Sequence, residues 1–267
     1  MTTAQKVIKY LAIALGLALV VSIFSGLVRL GSLLTGGSQR LDPEAVEATF
    51  VPQGEITALD IQVAGTELRI RTGDTLKVET NNAHVSITQK DTRLVIREES
   101  RLVQLSGSKV TIYLPETLTF DTVDLQAGAG LLSVERLVTG ILDLELGAGK
   151  TAFSYLEVTE EGNLEGGAGL ITIDSGSLHN LSLEIGVGEA RIRAAITGDS
   201  EIHAGVGSLK LEILGSRADY TIDAEKGLGS ITIDGESIAA NVRLGSGQHR
   251  LGVEGGIGSI SMRFEES

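Results

Sequence analysis

Glycine pairs separated by one residue recur through the second half of this chain at a nearly constant interval. The Gly-x-Gly pairs begin at Gly128, Gly147, Gly167, Gly186, Gly205, Gly227 and Gly245, and an eighth begins at Gly256. The spacing is almost uniform from Gly128 to Gly205 and becomes uneven beyond Gly205. A period of roughly 20 residues is typical of a solenoid, in which each repeat forms one coil and stacks on its neighbours.

Apolar and polar residues alternate on both sides of the glycine pairs. Leu142, Leu144 and Leu146 precede one pair, with Asp143 and Glu145 between them. Period two predicts a strand with one buried face and one exposed face. Each unit is therefore predicted to be a strand, a glycine corner and a second strand, followed by a short connection.

Glycine suits these corners because it tolerates positive φ and lets adjacent coils approach closely. The candidate corner residues are Gly128, Gly130, Gly147, Gly149, Gly167, Gly169, Gly186, Gly188, Gly205, Gly207, Gly227, Gly229, Gly245 and Gly247. An antiparallel meander or sandwich is the alternative architecture. The same order of features in every unit favours identical stacking, and hence an all-β solenoid.

Residues 121–267 are predicted to form the regular part of this solenoid. Residues 51–120 contain short strand candidates, such as 68–70 and 110–112, and turn signals at Gly73-Asp74 and Asn81-Asn82. Terminal repeats of solenoids are usually atypical. We therefore expect residues 51–120 to form irregular coils that cap the N-terminal end.

An uncharged, predominantly apolar run extends from Tyr10 to Val28. As a helix it would span roughly 28 Å, close to the thickness of a bilayer core. We expect one transmembrane helix over residues 10–30 and a short cytoplasmic N-terminus over residues 1–9. Lys6, Lys9 and the amino terminus precede the run, and Arg29 and Arg40 follow it before Asp42 and Glu44, a balance that mildly favours the N-terminus on the inner side. A cleaved signal peptide is one alternative, although the run exceeds the usual ~7–15 apolar residues, and a buried helix of a soluble protein is the other.

A linker is expected between this helix and the solenoid, over residues 31–50. Its first part is rich in glycine and serine and is predicted to be flexible. Asp42 and Pro43 then suit the N-cap and first position of a short helix.

The charge is distributed unevenly along the chain. The net charge is −13, and residues 1–40 contain four basic residues and no acid, which leaves 18 basic and 35 acidic residues in the remainder. A body with this excess of acids is expected to repel nucleic acid. The absence of Cys excludes disulfides, thiolate metal sites and Cys nucleophiles.

The segment Val110-Thr111-Ile112-Tyr113-Leu114-Pro115, followed by Gly-Ala-Gly corners in coils of ~20 residues, resembles the DUF4097 family. This family comprises bacterial "putative adhesin" or toastrack β-helix domains. The resemblance covers residues 50–264. It implies a right-handed, single-chain β-helix in the cell envelope, behind a transmembrane helix, and it supplies no catalytic residues.

Motifs that point to chemistry are incomplete in this sequence. Gly147-Ala148-Gly149-Lys150-Thr151 has the end of a phosphate-binding loop, but Leu144 occupies the position of its first glycine. Gly166–Gly169 resembles a calcium-binding nonapeptide, but Ile171 replaces the ligand Asp. The four histidines are far apart in sequence, without metal-ligand spacing. We predict no catalytic, cofactor-binding or metal-binding residues, and no cofactor.

These observations predict a non-catalytic, membrane-anchored, extracytoplasmic interaction protein of the bacterial cell envelope, such as a scaffold, a stress-sensor component or an adhesin. The expected partners are the lipid bilayer, through residues 10–30, and another envelope protein or a cell-wall component. A self-assembling scaffold similar to bactofilins is the first alternative. A polysaccharide-acting β-helix enzyme is the second, although the chain has no Trp to form a sugar platform.

Overall fold

The computed structural model describes residues 48–99, 107–239 and 241–266. The predicted helix over residues 10–30 and nearly all of the predicted linker lie outside these ranges. Within the described ranges, no helix is long and apolar enough to cross a membrane. The linker was expected to extend to residue 50, but residues 48–50 form the first strand.

Eighteen strands and one short 3-10 helix make up the described part of the chain. The first seven strands are β1 (Ala48–Phe50), β2 (Ala58–Val63), β3 (Glu67–Thr72), β4 (Lys77–Thr80), β5 (Val85–Lys90), β6 (Arg93–Glu98) and β7 (Lys109–Leu114). The long central strands are β8 (Phe120–Val134), β9 (Leu137–Phe153), β10 (Leu156–Ile173), β12 (Leu181–Thr197) and β13 (Asp199–Leu214), with the short β11 (Gly176–His179) between β10 and β12. The 3-10 helix (Arg217–Asp219) is followed by β14 (Tyr220–Glu225), β15 (Leu228–Ile233), β16 (Glu236–Ser237), β17 (Val242–Leu244) and β18 (His249–Glu265).

The coils of a β-solenoid are formed by β8 to β13, because each long strand pairs in parallel with the next along most of its length. Leu144 of β9 lies beside Leu125 of β8 and Leu164 of β10. Each coil has a leg before the glycine corner and a leg after it. The connection predicted from the sequence is a third, short leg, in which Leu156 pairs with Leu137 and Gly176.

The interval from Gly147 to Gly167 is slightly longer than the other intervals between Gly128 and Gly205, and this difference has a structural counterpart. The pairing of β9 with β10 shifts in register between Val158 and Glu161. A bulge of this kind accommodates an extra residue without disturbing the register on either side. The Gly-x-Gly pairs beginning at Gly147 and Gly167 therefore remain aligned although their interval is longer.

The core consists of the inward side chains of all the coils. Leucine, isoleucine and valine dominate it, with Phe153 and Phe120 as large aromatic members. Leu144 is 0 % exposed, whereas Glu145 beside it is exposed. Among the described residues, every buried side-chain nitrogen or oxygen has a hydrogen-bond partner.

The order of the coils in the stack differs from their order in the sequence at both ends. At the N-terminal end, β2 and β3 lie between β8 and the coil formed by β6 and β7. At the C-terminal end, β18 lies between β13 and the coil formed by β14 and β15. The first and last coils of the described chain are therefore each the second coil from an end of the stack.

Short antiparallel strands cover both ends of the solenoid. β4 and β5 pair with β7 and β6, and β1 pairs with β4. At the other end, β16 and β17 pair with β15 and β14. Exposed parallel edges invite further strand pairing, so these antiparallel strands protect the ends.

Candidate functional site

The glycine corners form two columns that run the length of the regular coils. The first column consists of Gly128, Gly147, Gly167, Gly186, Gly205, Gly256 and Gly227. The second column consists of Gly130, Gly149, Gly169, Gly188, Gly207, Gly258 and Gly229. Both lists follow the order of the stack.

A close approach between coils excludes side chains at nearly all positions of these columns. A Cβ placed on Gly149 would lie 2.0 Å from the carbonyl oxygen of Gly130, and the backbone there has φ of +147°. A Cβ on Gly256 would lie 2.1 Å from the carbonyl oxygen of Gly205. The corners are therefore structural positions. Lys150 directly follows one of these corners and is exposed, and its register partners on the adjacent strands are Leu131 and Leu170.

Gly245 and Gly247 were expected to form a corner, and the structure places them elsewhere. They lie in the connection between β17 and β18, where the Gly247 N–H donates to the Tyr220 carbonyl oxygen. The corner of the last coil is formed by Gly256 and Gly258 instead. The prediction of a corner at Gly245 was wrong because its distance from Gly227 was close to the period, although the residues beyond Gly247 do not pair as a coil around it.

One outer face of the solenoid is acidic. This acidic face comprises the outward side chains of the legs before the corners, at residues 123–127, 142–146, 162–166, 181–185 and 200–204. The five segments contain six acidic residues and no Lys or Arg. Glu145, Glu165 and Glu184 lie in register on adjacent strands, so their backbones are only about 4.8 Å apart.

A second acidic column shows how close these charges are. Asp60, Asp124 and Asp143 are register partners on three adjacent strands. Burial, with the negative charges of Asp60 and Asp143, raises the pKa of the Asp124 carboxyl above its ordinary value. Arg97 compensates part of this charge at the N-terminal end, where it contacts Asp60 at 2.7 Å.

The legs after the corners have a different charge pattern. This balanced face comprises residues 131–135, 150–154, 170–174, 189–193 and 208–212, which contain four basic and four acidic residues. Several are paired, as in the contacts Arg191–Glu189 and Lys210–Glu212. The alternation found in the sequence identified the outward residues, but only the stacking of the coils places the acids together on one face.

A carboxylate anchors the irregular N-terminal coils. Glu98 of β6 accepts hydrogen bonds from the N–H groups of Ala64, at 2.6 Å, and Gly65, at 3.0 Å. The Thr66 hydroxyl donates to the same carboxylate at 2.8 Å, and Asn82 donates at 3.2 Å. Glu98 thus occupies the corner between β2 and β3 and joins it to the end coil.

Sequence reasoning missed the role of Glu98 because its partners lie 16 to 34 residues away. Burial raises the pKa of the Glu98 carboxyl, but the hydrogen bonds from Gly65, Ala64 and Thr66 together outweigh burial and lower it below 4.5. The carboxylate is therefore ionised at neutral pH and stabilises the fold. No local period or motif marks Glu98 in the sequence.

The described residues form no grouping suited to metal binding: within residues 48–99, 107–239 and 241–266, no three His, Cys, Asp or Glu side chains are arranged to hold an ion. The four histidines occupy different environments. His249 accepts from the Gly198 N–H at 3.1 Å, and His203 contacts Glu254 at 3.3 Å. His179 contacts the Thr197 hydroxyl, and His84 is exposed.

Comparison with known proteins finds the model of the Toastrack DUF4097 family over residues 53–256. No curated protein matches the chain. A structure from Clostridium sporogenes ATCC 15579, described as a "putative cell adhesion protein", is 18% identical, with 82% of this chain and 99% of that chain covered and a TM-score of 0.36. A "putative adhesin" from Bacteroides fragilis NCTC 9343 is 13% identical, with 82% and 98% covered and a TM-score of 0.32.

The family model spans well over half of the chain, and it includes most of the irregular coils and all the glycine corners except the last, which extends to Gly258. The expected all-β solenoid is the architecture found in the structure. This chain is a member of the Toastrack DUF4097 family.

Proposed function

We propose that this chain is a non-catalytic interaction protein of the bacterial cell envelope, anchored through residues 10–30 with its solenoid on the outer side. The observation that carries the proposal is the solenoid itself: ladder-bonded coils present continuous outer faces, one of which carries six acidic residues and no Lys or Arg in the five legs before the corners. Such faces suit the recognition of another surface better than the enclosure of a small substrate.

The place at which the chain enters the solenoid supports a membrane anchor on its N-terminal side. β1 lies at the covered N-terminal end, where it pairs with β4. Residues 31–47 join this end to the uncharged run, and a fully extended segment of this length reaches at most about 60 Å.

The acidic face restricts the partner. Its stacked carboxylates repel polyanions, which disfavours nucleic acid, anionic lipid head groups and anionic wall polymers. The remaining partners are another envelope protein or a wall component that presents a neutral or basic surface.

Fractionation tests the anchoring. The full chain should remain in the membrane pellet after alkaline carbonate washing, whereas a chain of residues 31–267 should be released. Recovery of both chains in the soluble fraction would refute a transmembrane anchor.

Photo-crosslinking in living cells tests the interaction. A photoreactive residue at Glu165 of the acidic face, or at Arg191 of the balanced face, should give a discrete adduct with one envelope component. The adduct should form from one face and not from the other. If neither position gives an adduct beyond that of a chain without the photoreactive residue, the interaction role is wrong for these faces.

A further inference from the structure

The C-terminal strand β18 occupies a slot between strands that precede it in the sequence. It pairs in parallel with β13 on one side, from Asp199–Arg250 to Leu214–Glu265. On its other side it pairs in parallel with β14 and then with β15. The end coil formed by β14 and β15 therefore attaches to the stack through β18.

The slot accepts only strands with the pattern of β18. Leu251, Val253, Ile260 and Met262 are each at most 3 % exposed and fill the core at this level. The two glycine columns continue through the strand, since a Cβ on Gly258 would lie 1.8 Å from the Gly207 carbonyl oxygen. A strand that fits must therefore combine two apolar legs with a Gly-x-Gly corner at the correct distance.

The covalent connection of β18 to the rest of the molecule is short and glycine-rich. Residues 245–248 lead from β17, on the outer side of β14, around the start of β14 to β18 on its inner side. The Thr221 hydroxyl donates to the Gly247 carbonyl oxygen at 2.9 Å in this turn.

We propose that this slot is a strand-binding site for a second copy of this chain, in which residues 249–265 of each copy occupy the slot of the other. The exchanged strand makes the same ladder and core contacts as the original, so the two arrangements differ mainly in the conformation of residues 245–248 and in the entropy of association. Mutual exchange closes the pair and leaves no slot empty. Because the intramolecular strand competes at a high effective concentration, the exchanged fraction should rise with protein concentration.

The absence of Cys allows a direct test with single cysteines. Ser208 of β13 and Ser259 of β18 are exposed register partners. Full chains carrying either Ser208→Cys or Ser259→Cys would be mixed, incubated at high concentration and treated with a short bismaleimide. A covalent heterodimer joined at these two positions can form efficiently only when β18 of one copy lies beside β13 of the other.

A matched control replaces the Ser208→Cys chain with a Ser154→Cys chain, whose exposed cysteine lies in a turn remote from β18. We expect about tenfold more heterodimer for the 208–259 pair than for the 154–259 pair, with a yield that increases with concentration. Equal yields for the two pairs would overturn the proposal.

The double variant Ser208→Cys/Ser259→Cys checks the register on which the proposal rests. It should crosslink within one chain, and the crosslinked chain should no longer form dimers. Failure of the intrachain crosslink would contradict the placement of β18, and hence the exchange.

Discussion

At the scale of single residues, the buried side chains and the polar anchor at Glu98 determine stability. The inward positions were readable from the sequence, because the alternation of Leu142, Asp143, Leu144 and Glu145 has a period of two. The role of Glu98 was not, because its partners become neighbours only when β6 stacks on β2. Local periodicity reports which way a side chain points, and it carries no information on which distant segment lies beside it.

The paired substitutions Leu144→Asp and Glu145→Lys test the register directly. Leu144→Asp places an unpaired charge in the core and should cost at least ~3 kcal/mol of unfolding free energy. Glu145→Lys alters an exposed residue between Gln126 and Glu165, and should change stability by less than about 0.5 kcal/mol. Thermal unfolding of both variants provides the comparison, and equal losses of stability would refute the register.

Substitution of Glu98 by Gln should destabilise the solenoid at neutral pH. Gln lacks the negative charge that three backbone N–H groups stabilise, so we expect a loss of about 2 kcal/mol. The adjacent, exposed Glu99→Gln is the matched control and should be nearly neutral. Denaturant titrations at pH 7 measure both variants.

The pH dependence of the Glu98 contribution has a definite sign. Its pKa is lowered in the folded state, so its stabilisation is present above the unfolded value of 4.5 and is lost as the pH falls through the folded value. The difference between wild type and Glu98→Gln should therefore shrink below about pH 4.5. A difference that grows on acidification would contradict the anchoring role.

At the scale of elements, the corner glycines determine how closely the coils stack. Gly149→Ala introduces a Cβ 2.0 Å from the Gly130 carbonyl oxygen, at φ of +147°. We expect a cost of at least ~2 kcal/mol, because this backbone region is nearly exclusive to glycine. Differential scanning calorimetry should show the corresponding fall in the unfolding temperature.

Gly162→Ala is the matched control for Gly149→Ala. Gly162 is also a strand glycine of the central coils, but a Cβ there would have its nearest neighbours at 3.6 Å, an ordinary contact distance. The control should therefore lose much less stability. Similar losses for the two variants would show that glycine is required for reasons other than the close approach at the corners.

The strand order was the part of the fold that the sequence could not provide. Any stacking order of similar coils satisfies the same period and the same alternation. No local feature of the sequence therefore indicates that β18 lies between β13 and the end coil formed by β14 and β15. The uneven spacing of the glycine pairs after Gly205 was the largest irregularity of the repeat. It reflects the 3-10 helix and the covering strands β16 and β17.

At the scale of the whole molecule, both ends of the stack are covered by antiparallel strands, and neither the first nor the last coil of the described chain is outermost. This arrangement disfavours the end-to-end polymerisation considered for a bactofilin-like scaffold. Another solenoid could add its coils only to a free strand edge of an end coil, and antiparallel strands already pair with both end coils. It favours a discrete solenoid whose contacts are made through its faces or through exchange of β18.

The central functional claim is that this solenoid stands outside the cytoplasmic membrane, and labelling of introduced cysteines tests it most directly. In cells freed of any outer barrier, a membrane-impermeant maleimide should label Ser208→Cys in the solenoid and should label Thr3→Cys only after lysis. Labelling of Thr3→Cys in intact cells, with Ser208→Cys protected until lysis, would contradict the proposed orientation. Protection of both positions would place the solenoid inside the cell and refute the envelope role.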